Sequence, residues 1–208
     1  MLMNYIEENY KKGEPIFVND LLKFENNKYT LSKELSSLVN KNQIKKYEDG
    51  IYYLAKESAL GEMPLNPEDI AKYKYVSKDD DCYGYYGGLY LANKLGITTQ
   101  VPLVIDIITN KTNSSQRMIT ISNRKFYIKP ARVEINKNNV NVLQLLDLLK
   151  DIDKYSEYSN EYLFGRIKNY IDICKISKND IDLYINLFPI IVYKNIYDLR
   201  LYDVFAWE

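Results

Sequence analysis

Two spacings of apolar residues alternate along the chain. Leu2, Ile6 and Tyr10 recur at helical spacing and predict a first helix over residues 1–12, ended by Gly13. Pro15 to Val18 reads as a short extended segment. Asn19 and Asp20 then offer capping side chains to a second helix carrying Leu21, Leu22 and Phe24. Thr30 is placed to cap a third helix from Leu31 to about Lys41. On that helix Leu31, Leu35, Leu38 and Val39 share one side, while Lys33, Ser36, Ser37 and Asn40 lie opposite, with Lys41 at the edge. Ile44 to Tyr47 and Ile51 to Leu54 are β-rich runs around Glu48-Asp49-Gly50, a hairpin signal. Three short helices followed by a hairpin predict a winged helix-turn-helix over residues 1–56. In that arrangement the third helix enters the major groove and the hairpin touches backbone or minor groove.

The pattern then changes. Gly61, Pro64 and Pro67 make residues 57–81 a connector, in which Pro67-Glu68-Asp69 suits the opening of a short helix. A helix is predicted from Tyr85 to Leu95, stopped by Gly96, with Gly84, Gly88 and Ala92 leaving one face bare. Val101 to Ile108 is apolar at almost every position, as in a strand covered on both faces, and Asp106 is its one charge. A polar loop follows over residues 111–115. Arg117 to Ile121 and Arg124 to Lys129 form a second hairpin around Ser122-Asn123. Asn138 or Asn139 caps a helix from Val140 to Asp153, lined by Leu143, Leu146 and Leu149. Helices follow near 160–175 and 181–188, the second behind a capping-box pattern at Ser177 to Asp180. Ile190 to Tyr197 is a last apolar stretch. The fold class is α+β: the winged helix, then a mixed domain over residues 82–208 with a small sheet and C-terminal helices.

Composition narrows the chemistry. The chain has no histidine, which removes Ser-His-Asp and Cys-His nucleophiles and every histidine-ligated zinc site. No glycine-rich phosphate loop is present. Cys82 and Cys174 are far apart and read as reduced thiols. No catalytic constellation and no cofactor are expected. Consecutive Asp79, Asp80 and Asp81 point in different directions, so a solvated loop is favoured over a metal site. The 21 tyrosines are scattered through every element and suit a coding bias better than a base-stacking platform. No apolar run reaches the ~20 residues of a membrane span, and no leader-like N-terminus is seen, so the expected location is the cytoplasm, away from membranes.

The net charge is zero but unevenly spread. Residues 1–56 sum to +1, while residues 111–137 sum to +6. On the third helix, Lys33, Ser36, Ser37 and Asn40 are candidates to read base edges. Lys33, Lys41, Lys45 and Lys46 are candidates to reach phosphates. The small charge and the lack of arginine on that helix imply modest affinity per monomer, so that binding to double-stranded DNA needs a homodimer or help from elsewhere. Lys111, Arg117, Arg124, Lys125, Lys129, Arg132 and Lys137 make up the basic segment. Either it guards a sheet edge or it forms a second nucleic-acid surface.

Tyr83-Gly84-Tyr85 and the run Leu91-Ala92-Asn93-Lys94-Leu95-Gly96-Ile97-Thr98-Thr99-Gln100-Val101-Pro102 resemble the AbiEi-type antitoxins of bacterial type IV toxin–antitoxin systems. Thr109-Asn110 and Leu145-Leu146-Asp147 continue the likeness, which covers nearly the whole chain. The resemblance implies a transcriptional repressor acting on the operator of its own operon, with an antitoxin-type second domain. It also implies a functional partner, a nucleotidyltransferase-like toxin, counteracted without a stable complex. Ser36-Ser37 stand where the family often carries a basic side chain. Two alternatives stay open: a protein-interaction module without DNA binding, and an enzyme using carboxylates such as Asp106 and Asp147.

Overall fold

Apolar side chains collect into separate cores, and the chain divides into two units between Tyr73 and Lys74. The computed structural model describes residues 1–59, 61–112 and 115–205. Residues 113 and 114 of the expected polar loop therefore lie outside the described residues.

The first unit runs α1 (Leu2–Asn9), β1 (Pro15–Phe17), α2 (Val18–Leu21), α3 (Lys28–Asn40), β2 (Lys45–Glu48) and β3 (Ile51–Tyr53). The strands form an antiparallel sheet in the order β1-β3-β2, with β3 central. Leu2, Ile6, Ile16, Leu21, Leu31, Leu35 and Ile44 form the core beneath it. Gly50 takes a left-handed φ of 82° in the β2–β3 turn, where a side chain would be strained. Helix α3 starts before Thr30 because Asn27 caps it: its Oδ1 accepts from the amides of Tyr29 (3.0 Å) and Thr30 (3.2 Å). Helix α1 is shorter than expected, and α2 begins before the Asn19-Asp20 pair.

The expected connector is largely ordered. It holds a hairpin of β4 (Lys56–Ser58) and β5 (Gly61–Met63), then α4 (Pro67–Tyr75), then a two-residue hairpin of β6 (Ser77–Lys78) and β7 (Asp81–Cys82). The prolines do not forbid this. Pro64 lies beyond the strand, and Pro67 occupies the first helical position, where its missing N–H costs nothing. Asp79 and Asp80 are exposed in the β6–β7 turn. Among the described residues, no group of His, Cys, Asp and Glu side chains is arranged to hold a metal ion.

In the second unit the helix expected from Tyr85 is two elements, β8 (Gly84–Gly87) and α5 (Gly88–Lys94). The glycines are small for reasons other than a bare helix face. A Cβ on Gly84 would lie 2.1 Å from the Tyr75 carbonyl oxygen and 2.7 Å from that of Ile108. Gly88 has a φ of 58°, and its Cβ would lie 2.6 Å from Asp106 Oδ2. The chain can change from strand to helix there only with glycine. Strands β9 (Val104–Thr109), β10 (Arg117–Ile121) and β11 (Arg124–Pro130) complete a sheet of order β10-β11-β9-β8, in which β11 runs parallel to β9. Ile105, Ile107 and Ile108 are all buried, so β9 is covered on both faces, although it begins later than expected.

Helices α6 (Val140–Tyr155), α7 (Asn160–Cys174), α8 (Lys178–Tyr184), α9 (Ile191–Asp198) and α10 (Tyr202–Phe205) follow, with a 3-10 turn at Ile185–Leu187. Helix α6 is the centre of this core: Val142, Leu143, Leu145, Leu146, Leu148, Leu149 and Ile152 are buried almost all round it. The Asn139 side chain leaves the α6 amides alone. It accepts from Asn136 N and donates to the Glu134 carbonyl, stapling the preceding turn. The capping box on α8 forms as expected between Ser177 and Asp180. The molecule is thus a mixed α+β protein with small sheets and C-terminal helices. No helix among the described residues is long and apolar enough to cross a membrane.

Candidate nucleic-acid interface

Helix α3 buries Leu31 and Leu35 and turns the opposite side outward. On that side Tyr29, Ser32, Lys33, Ser36, Ser37, Asn40 and Lys41 line one shallow depression. The five residues expected on the recognition face therefore share a surface, and all five are exposed. Ser36 turns its hydroxyl back onto the Ser32 carbonyl (2.8 Å), a bond it would have to give up in order to donate to a base. Lys33 rests over the Tyr29 ring, 4.5 Å from its centroid, which holds the ammonium near the start of the face.

Lys45 and Lys46 are nearby in sequence but already hold carboxylates. Lys45 pairs with Glu62 of β5 at 3.2 Å, and Lys46 pairs with Asp49 at 2.5 Å across the hairpin turn. The hydrogen bond to Asp49 raises the Lys46 ammonium above its ordinary value, and the same bond lowers the Asp49 carboxyl. Both groups are solvated, so water and salt screen the pair and a phosphate can replace Asp49 at little cost. Glu62 was not legible as a partner, because nothing local in the sequence places β5 beside β2.

The basic segment of the second unit does not form one patch. Cross-strand pairing puts Arg117 and Arg124 on one face of the sheet and Lys125, Tyr127 and Lys129 on the other. Lys111 lies over the Tyr83 ring at 4.6 Å. Lys129 is bound to Asp106 at 2.7 Å. The Arg132 guanidinium lies over Phe188 at 5.2 Å and reaches the Leu187 carbonyl at 3.4 Å. Lys125 and Lys137 are exposed. Asp147, on buried α6, is held by Lys150 at 2.7 Å. Burial alone would push the Lys150 ammonium down, but Asp147 and Asp151 outweigh it and hold it above its ordinary value.

The run from Leu91 to Pro102 turns out to be a structural latch. Glu157 accepts from Thr98 Oγ1 (3.0 Å), Thr99 Oγ1 (3.1 Å) and Gln100 Nε2 (2.9 Å). These bonds, that of Gln100 foremost, draw the Glu157 carboxyl below its usual range. Thr109 and Asn110 act similarly. The Thr109 hydroxyl donates to the Tyr83 carbonyl, and the Asn110 side chain holds both the amide and the carbonyl of Ile135.

These features define a two-unit α+β protein with an exposed polar helix face in one unit and a helix-backed sheet in the other. The chain belongs to a family of unknown function, DUF6088, whose model matches residues 3–169. That span includes the whole α3 face and the sheet with α6. Comparison with curated proteins and with solved structures finds no match.

Proposed function

We propose that this protein is a sequence-specific DNA-binding transcriptional repressor whose first unit is a winged helix-turn-helix. The observation that carries the reading is the outward face of α3, where short polar and basic side chains stand together on a rigid 13-residue helix. The order α1-β1-α2-α3-β2-β3, with β3 central in the sheet, supports it, since β2 and β3 then form the wing beside the recognition helix. Lys33, Ser36, Ser37 and Asn40 read base edges; Lys41, with Lys45 and Lys46 once their carboxylates exchange, holds phosphates. The likeness to AbiEi-type antitoxins extends the proposal to autoregulation of an operon and to neutralisation of a nucleotidyltransferase-like toxin.

The test is fluorescence anisotropy of the full chain with DNA from upstream of its own gene, against random duplex. Wild type should prefer the upstream DNA. Replacing Lys33, Ser36, Ser37 and Asn40 with alanine should abolish the preference, each base contact being worth about 1–3 kcal/mol of discrimination. An unchanged preference in that variant would overturn the assignment. Co-expression with a nucleotidyltransferase-like toxin, read as growth, tests the antitoxin half.

A second reading has support in Tyr29, 68% exposed, and in the neutralised Lys45 and Lys46. Such a face suits a protein partner. Partner retention at high salt with no DNA preference would favour it.

A further inference from the structure

Where β8, β9 and β11 meet α6, the second unit forms a half-open pocket of about 390 Å³. Its walls include Tyr85, Tyr127, Lys129, Arg132, Asp147 and Lys150. The carboxylates there are already engaged. Asp147 accepts from Lys150, and Asp106 behind the wall accepts from Lys129, both at 2.7 Å.

The donors are not used up. An ammonium carries three N–H groups, and Lys129 spends one on Asp106. Arg132 carries five, and it spends one on a long bond to the Leu187 carbonyl. Tyr85 adds a hydroxyl to the same wall. It is only 4% exposed as a residue, and its ring and hydroxyl line the pocket. A wall with surplus N–H and O–H donors matches an anion. Tyr127 is held by its hydroxyl bond to Gln116 at 2.7 Å, with the Lys129 ammonium 5.1 Å from its ring centroid.

We propose that this cavity binds a phosphate monoester of about mononucleotide size, its phosphate held by Arg132, Lys129 and the Tyr85 hydroxyl and its organic part against Tyr127. The volume falls within the range of small-molecule sites. Tyr85 lies too deep for the backbone of a DNA duplex, which separates this site from the α3 face. The proposal does not depend on DNA binding by the first unit.

Calorimetric titration of the full chain with adenosine 5′-monophosphate, inorganic phosphate and adenosine tests it. The monophosphate should bind saturably, roughly tenfold tighter than inorganic phosphate, and adenosine should not bind. Tyr85→Phe keeps the ring and removes only the hydroxyl; it should weaken monophosphate binding roughly tenfold without lowering the melting temperature. Arg132→Gln, at an exposed position, should weaken it at least as much. Monophosphate binding no tighter than adenosine, or undiminished in both variants, would overturn the proposal. So would loss of duplex DNA affinity in Tyr85→Phe with monophosphate binding unaltered, because the cavity would then serve nucleic acid.

Discussion

Single residues decide several of the turns on which this fold depends. Gly88 takes a left-handed φ beside a carboxylate, and Gly84 lets two backbone carbonyls close in. Both glycines were conspicuous in the sequence, but their four-residue spacing suggested a helix stripe. The spacing is incidental, because the residues belong to a strand and to the first turn after it. Glu157 shows the opposite case. Nothing in its local sequence marks it, yet it gathers the side chains of Thr98, Thr99 and Gln100 from 57 to 59 residues away. Its folded carboxyl titrates below its unfolded value of about 4.3, so its contribution is complete above that pH and is lost as pH falls through the folded value. Urea unfolding should therefore show Glu157→Gln less stable than wild type at pH 7. That gap should close as the pH falls through the lowered folded value. A gap that persists in acid would mean that the latch does not act through the carboxylate.

Elements were legible where period and cap agreed. The third helix and both Asp-Gly and Ser-Asn hairpins carry matched strand or helix periods, and the structure places them nearly as expected. Boundaries moved where two capping residues competed. Asn27 begins α3 in preference to Thr30, because its side chain reaches two amides at once. Asn27→Ala should cost about 1 kcal/mol of stability, measurable by urea unfolding, and Thr30→Ala much less. Equal effects would show that the cap is shared. The ordered stretch between residues 56 and 82 was missed for a related reason. Its strands are only two or three residues long, too short to display alternation, and Pro64 and Pro67 looked like interruptions when they lie at boundaries.

For the whole molecule, zero net charge conceals where charge can act. The +6 segment is divided between two sheet faces and partly neutralised, whereas the weakly charged first unit keeps Lys33 and Lys41 exposed on one helix face. With Lys41, Lys45 and Lys46 on phosphates, the slope of log affinity against log salt should be about −3 per monomer, at roughly −0.9 per phosphate neutralised, and about −5 for a dimer. Anisotropy titrations at several salt concentrations measure it. A much steeper slope would bring the second unit onto the DNA, and a slope near about −1 per monomer would leave Lys45 and Lys46 on their carboxylates. The amino-acid sequence by itself determined the α+β class, the polar face of α3 and the Asp-Gly and Ser-Asn hairpins, because each depends on period, caps and turns within a dozen residues. Only the tertiary structure decided that Lys45 meets Glu62, that Thr98 to Gln100 close on Glu157, and that Tyr85, Lys129 and Arg132 face one cavity with Lys150. Those contacts join segments far apart in the chain, and no local pattern carries their geometry.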